Sequence, residues 1–157
     1  MASRSWTAEP LEKTEDSRYR DEDFMPRVGD PRARQAYRIL QFAYVVAPIV
    51  AGVDKFFNRL TDWSQYLAPV VASAIPFSPR LIVMGAGCAE VLVGLLVAVK
   101  PGVGATLAMV WLWGVIANLL LIPGHYDIAL RDFGLSLGAL ALARLARSMK
   151  RSIFAGI

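Results

Sequence analysis

The chain has 157 residues, 55% of them hydrophobic, with a formal net charge of +4 and a mean hydropathy of +0.43. That length allows one domain, and so apolar a composition is unusual for a soluble one. The positive balance does not point to nucleic acid: residues 1–38 hold eight basic and eight acidic side chains, and no basic stripe with interleaved exposed aromatics follows.

Residues 1–36 are polar, highly charged and without apolar periodicity. Their start lacks the basic and then apolar regions of a signal peptide, and their acidic residues argue against a transit peptide. They read as a cytoplasmic tail, disordered or laid across a protein partner through Trp6, Leu11, Tyr19, Phe24 and Met25.

Four apolar stretches follow, at about 37–57, 80–99, 103–122 and 128–146. About 20 apolar residues in a helix cross about 30 Å of hydrocarbon. The chain is therefore expected to be an all-α, four-helix transmembrane bundle in a lipid bilayer. Pro48 falls inside the first stretch, where membrane helices tolerate it. Residues 58–79 carry Trp63 and Tyr66, which suit an interface. The piece 67–75 is too short to span and reads as an interfacial or re-entrant segment on one membrane face. Lys100-Pro101-Gly102 and Pro123-Gly124 are turns, and Asp127 is a reasonable N-cap for the fourth helix. Cys88, the single cysteine, excludes an intrachain disulfide, a CxxC pair and a thiolate metal cluster. Its place in the second stretch predicts a small buried hydrophobe.

Arg27, Arg32, Arg34 and Arg38 precede the first span, Lys100 joins the second to the third, and Arg147, Lys150 and Arg151 follow the fourth. The positive-inside rule then puts both termini in the cytoplasm. Residues 58–79 and the loop at His125 share the opposite face.

On this topology Asp54, Lys55, Asn118, Arg131 and Asp132 converge on the outer half of the bundle, and Glu90 lies deeper, near the middle of the second span. Charges at such depth face protein or water. Small residues accompany four of them at helical spacing: Ala51 and Gly52 with Lys55, Gly87 and Gly94 with Glu90, Gly114 with Asn118, Gly134 and Gly138 with Arg131. Helices approach one another closely at such positions, so these polar side chains are expected to point inward. Two arrangements stay open. In one, Lys55 and Arg131 pair with Asp132 and Asp54 and fix the packing. In the other, the cluster lines a pocket for a headgroup, a quinone or an ion. Glu90 has no evident cation at its depth and is expected to hydrogen-bond across helices or to act as an acid. His125 with Asp127 and Asp132 is a poor metal set, and these spacings predict no metal site.

The run Ala51-Gly52-Val53-Asp54-Lys55-Phe56-Phe57, then Trp63 and Tyr66-Leu67-Ala68-Pro69, Glu90 among glycines, and Tyr126-Asp127-Ile128-Ala129-Leu130-Arg131-Asp132 resemble the DoxX-like membrane proteins. The resemblance covers roughly residues 38–146; residues 1–36 depart from it. It implies a four-helix bundle in the bacterial inner membrane that works beside redox systems, some of them quinone-linked. The function expected is that of a non-catalytic accessory subunit of a larger membrane redox or energy-converting complex, with no cofactor in the chain itself and a quinone or lipid bound nearby. A quinone-interacting oxidoreductase component, with Phe56, Trp111 and Trp113 near the ring, is the alternative; a small transporter or assembly factor is another.

Overall fold

The structure, a computed structural model, describes residues 31–155, with side chains through residue 150. The tail and partner contacts expected over 1–36 fall largely on residues 1–30, outside the described residues. Residues 31–36 belong to the first helix.

In chain order the elements are α1 (Pro31–Phe57), a 3₁₀ turn (Trp63–Tyr66), the short α2 (Pro69–Ala74), α3 (Pro79–Val99), α4 (Pro101–Leu120) and α5 (Tyr126–Ala155). The described residues form no strand. Helices α1, α3 and α4 are long and apolar enough to cross a membrane. Helix α5 is longer but does not share that property. Arg131 and Asp132 near its start and Arg144 and Arg147 near its end leave only 133–143 free of charge, about 16 Å of helix.

Helix α1 starts six residues before the expected span and runs through Pro48. It ends with Asn58 in the left-handed conformation (φ 50°), a residue that accepts this backbone better than most. Helix α3 starts at a Ser78 cap, whose Oγ accepts from Leu81 N, with Pro79 in its first turn. Lys100 alone joins α3 to α4. Gly124, at φ 90°, turns the chain into α5. Asp127 lies inside the first turn of α5 rather than capping it.

Helices α1 and α3 run antiparallel in close contact. A Cβ on Gly52 would stand 2.5 Å from the Gly87 carbonyl oxygen, and one on Gly87 equally close to the Gly52 oxygen. Farther along the same pair, Gly94 meets Val45 and Ile49, and Gln41 reaches the carbonyls of Val97 and Ala98. Helix α4 folds back on α3, with Gly104 against the Val97 backbone. Helix α5 runs beside α4 and also touches α1, where the Tyr44 hydroxyl donates to the Leu135 carbonyl and packs on Gly138.

The core is layered along the bundle. Val97, Ala105, Leu142 and Ala143 form one layer with Tyr37, Leu40 and Tyr44. Val93, Ala108 and Ala139 form the next. Ile116, Leu119 and Ala129 close the far end under Tyr66. Large apolar side chains on the outside, such as Phe42, Val50, Leu92, Val110 and Leu130, stay exposed, as a lipid-facing surface requires. Cys88 is among the exposed residues of α3, which corrects its expected burial: the inward face there belongs to Gly87 and Val83.

Gly52→Leu should lower stability by about 1–3 kcal/mol, since the added side chain forces α1 and α3 apart. Gly85→Ala, where a Cβ meets nothing within 4 Å, should be neutral or raise stability by up to about 1 kcal/mol. Thermal unfolding in a mild detergent compares the two; equal behaviour would refute the close-contact account.

Candidate functional site

The end of the bundle where α1 finishes gathers most of its polar side chains. Lys55, two residues before the end of α1, is 8% exposed. Its Nζ lies 2.6 Å from Glu90 Oε2 on α3 and 3.6 Å from the centroid of the Trp63 ring. The cation is thus held by a carboxylate and an aromatic face together. Trp111 of α4 approaches the same carboxylate, its indole N–H donating to Glu90 Oε1 at 3.4 Å.

Glu90 therefore has a cation after all. Lys55 is long, and the Gly52–Gly87 contact brings its helix close enough for the ammonium to reach toward the middle of α3. This replaces the expected partnership of Lys55 with Asp132 or Asp54. Asp132 is buried and within electrostatic reach of Lys55, but its hydrogen bond is to its chain neighbour, Arg131 Nε, at 3.4 Å.

Asp54 does other work. It is buried, and its carboxylate accepts from Arg59 N (3.0 Å), from Leu60 N (3.1 and 3.2 Å to its two oxygens) and from Trp63 Nε1 (2.7 Å). These donors belong to the chain just after α1, which the carboxylate turns back over the helix end. Trp63 thereby joins an acidic residue to a basic one: its N–H binds Asp54 and its ring covers Lys55.

Asn118, in the last turn of α4, donates from Nδ2 to the Tyr66 carbonyl (2.5 Å) and accepts at Oδ1 from Ala68 N (3.0 Å). One side-chain amide thus satisfies a donor and an acceptor of the loop between the 3₁₀ turn and α2. Tyr66 stands edge-on to Trp63 and to His125, with centroids 6.1 and 5.4 Å apart. The His125 ring is held by this contact, and its Nδ1 is buried without a hydrogen bond. Among the described residues no group of three or more His, Cys, Asp and Glu is placed to hold a metal ion.

Arg131 departs from its expected inward place. Its side chain is 68% exposed, and a Cβ on Gly134, one turn on, would meet nothing. The inward face of this part of α5 is Ala129, Asp132 and Ser136; Arg131 is adjacent in sequence but about 100° around the helix from Asp132. Trp113 also lies outside, edge-on to Phe133. Of the six polar residues, Lys55 and Glu90 meet directly, Asp54 joins them through Trp63, Asp132 lies nearby, Asn118 fastens the loop, and Arg131 points away.

Trp63 and Trp111 are the members that sequence reasoning placed at an interface or beside a ring. A partial signal was present: an indole N–H in an apolar setting requires an acceptor, and Asp54 and Glu90 were two of the five carboxylates in residues 31–155.

Compared with known proteins, the chain matches no family model, no curated protein and no solved structure.

Lys55→Met should destabilise the protein by about 3 kcal/mol, because Glu90 is left without its cation. Lys55→Met with Glu90→Gln should recover much of that loss, and denaturant titration of the single and double variants measures the coupling. Additive losses would mean that the pair contributes no coupling. Asn118→Leu should open residues 58–78 to limited proteolysis and cost about 1–3 kcal/mol; an unchanged cleavage pattern would count against the anchoring role.

Proposed function

We propose that this chain is a DoxX-like integral membrane protein acting as a non-catalytic accessory subunit of a larger membrane redox or energy-converting complex. The observation that carries this reading is the use of the buried polar groups. Lys55, Glu90, Asp54 and Asn118 each bind another part of the same chain, and groups spent in this way hold a shape rather than await a substrate. The exposed apolar belt suits lipid and neighbouring membrane subunits alike.

The reading includes a fourth crossing. Helix α5 lies along α4 from Ala129 to Arg147, so a membrane crossed by α4 also contains the uncharged middle of α5. Its charged ends then sit at the two interfaces, where Arg side chains snorkel. Both termini are cytoplasmic in this proposal, the membrane is the bacterial inner membrane, and residues 1–36 reach toward a partner subunit.

A second reading draws on the two indoles beside the Lys55–Glu90 pair. An oxidoreductase component that touches a quinone would use this polar spot beside aromatic rings, with the electron carrier on another subunit. Lys55→Met with Glu90→Gln, which removes both charges together, separates the readings: quinone-linked turnover per assembled complex should stay intact if the pair is structural, and fall if the pair serves the quinone.

Purification of the native protein in mild detergent, followed by mass spectrometry, should recover the chain with stoichiometric membrane redox subunits. Recovery as a lone monomer would overturn the accessory-subunit assignment.

A further inference from the structure

Charge is strongly segregated along the bundle. The carboxylates among the described residues are Asp54, Asp62, Glu90, Asp127 and Asp132. All lie in the middle of the bundle or at the end that carries Trp63 and His125. The opposite end gathers Arg32, Arg34 and Arg38 at the start of α1, Lys100 between α3 and α4, and Arg144, Arg147 and Lys150 late in α5. The packing brings these three groups to one level. Gln41 of α1 touches the Val97 and Ala98 carbonyls just before Lys100, and Gly102 lies beside Ala146 and Arg147. Along α3 the nearest described carboxylate to Lys100 is Glu90, ten residues or about 15 Å away. Asp132 is twelve residues, about 18 Å, from Arg144.

Directly next to the basic residues, on the bundle side, the outer surface is apolar. Ile39 and Phe42 on α1, Val99 on α3, Val103 on α4 and Leu140 on α5 are all exposed. A phospholipid has the same order of chemistry, an acyl chain and then a phosphate. Arg147 is held for such a contact: one of its Nη atoms donates to Thr106 Oγ1 at 2.8 Å, while Thr106 in turn donates to the Gly102 carbonyl. One N–H of the five on a guanidinium is used in this way.

We propose that the basic end of the bundle, centred on Lys100, Arg144, Arg147 and Lys150, binds the headgroups of anionic phospholipids. The acyl chains run along the apolar surface beside it. Basic surfaces at the ends of membrane helices attract anionic headgroups, with a gain of roughly fivefold in binding for each Lys or Arg near the surface. The proposal rests on charge placement and holds whichever complex the protein serves. Residues 1–30 hold eight acidic and five basic side chains and join the bundle at this end. A tail that occupied the basic face would leave no anionic-lipid preference in the intact chain.

The test is the thermal midpoint of the full-length protein in a nonionic detergent, titrated with phosphatidylglycerol or phosphatidylcholine. Phosphatidylglycerol should raise the midpoint saturably and phosphatidylcholine should not. The triple variant R144Q/R147Q/K150Q should lose about a hundredfold in apparent affinity, whereas R59Q/R80Q, at the other end, should keep it. If the first variant does not fold, R32Q/R34Q/R38Q replaces it and should show a loss of similar size. Equal shifts from the two lipids, a full shift in the basic-end variant, an equal loss in R59Q/R80Q, or the same shift from inorganic phosphate alone would each overturn the proposal.

Discussion

The ion pair between Lys55 and Glu90 is the interaction on which the Trp63 end of the bundle depends. An ammonium and a carboxylate taken out of water are stable only when matched. Their match requires α1 and α3 to lie nearly backbone to backbone, which the facing glycines 52 and 87 permit. The pair and the glycine contact are one constraint seen twice. A shift of α1 by a single residue turns its side chains by about 100° and slides them 1.5 Å, which takes Lys55 away from Glu90 and sets a Cβ against a carbonyl. The polar pair thereby fixes a register that apolar packing alone would leave loose.

The same pair organises the chain beyond α1. Trp63 covers the Lys55 ammonium and ties itself to Asp54, so the return loop is fastened to the helix it has just left. Asn118 fastens the next stretch of that loop to α4. The segment 58–78 has little regular structure of its own, yet its backbone groups find partners at these points. Without such partners, an irregular segment beside a hydrocarbon layer would hold unsatisfied donors and acceptors. The opposite end of the molecule is closed by the one-residue turn at Lys100, by Gln41 on the carbonyls of Val97 and Ala98, and by Arg147 on Thr106.

Much of this architecture was legible in the linear pattern. Four apolar runs were expected to cross; three of them form helices long and apolar enough to do so, and the short 67–75 piece was recognisable as non-spanning. The polar residues were visible as exceptions within apolar surroundings. Their pairing was not. Lys55 and Glu90 are 35 residues apart, and Glu90 lies at a depth where no cation stands in its own helix; only the length of a lysine side chain across a glycine contact joins them. Arg131 went the other way. Helical spacing with Gly134 and Gly138 argued for an inward face, but the inward face passes through Asp132, Ser136 and Ala139. With small residues on several sides of α5, periodicity alone did not select the buried one. Cys88 misled for the same reason: in a helix that is apolar all round, composition carries no information about which face meets protein and which meets lipid.

By itself the sequence determined the helices, the turns between them and the segregation of charge toward the ends, because hydrophobic length, proline and glycine punctuation and the cost of placing ions in hydrocarbon act locally along the chain. Only the tertiary structure decided which carboxylate Lys55 answers, that Asp54 and Asn118 serve the backbone of the loop, and that Arg131 and Cys88 face outward. Those outcomes depend on how closely two helix backbones approach and on rotation about each helix axis, quantities set jointly by residues far apart in the chain.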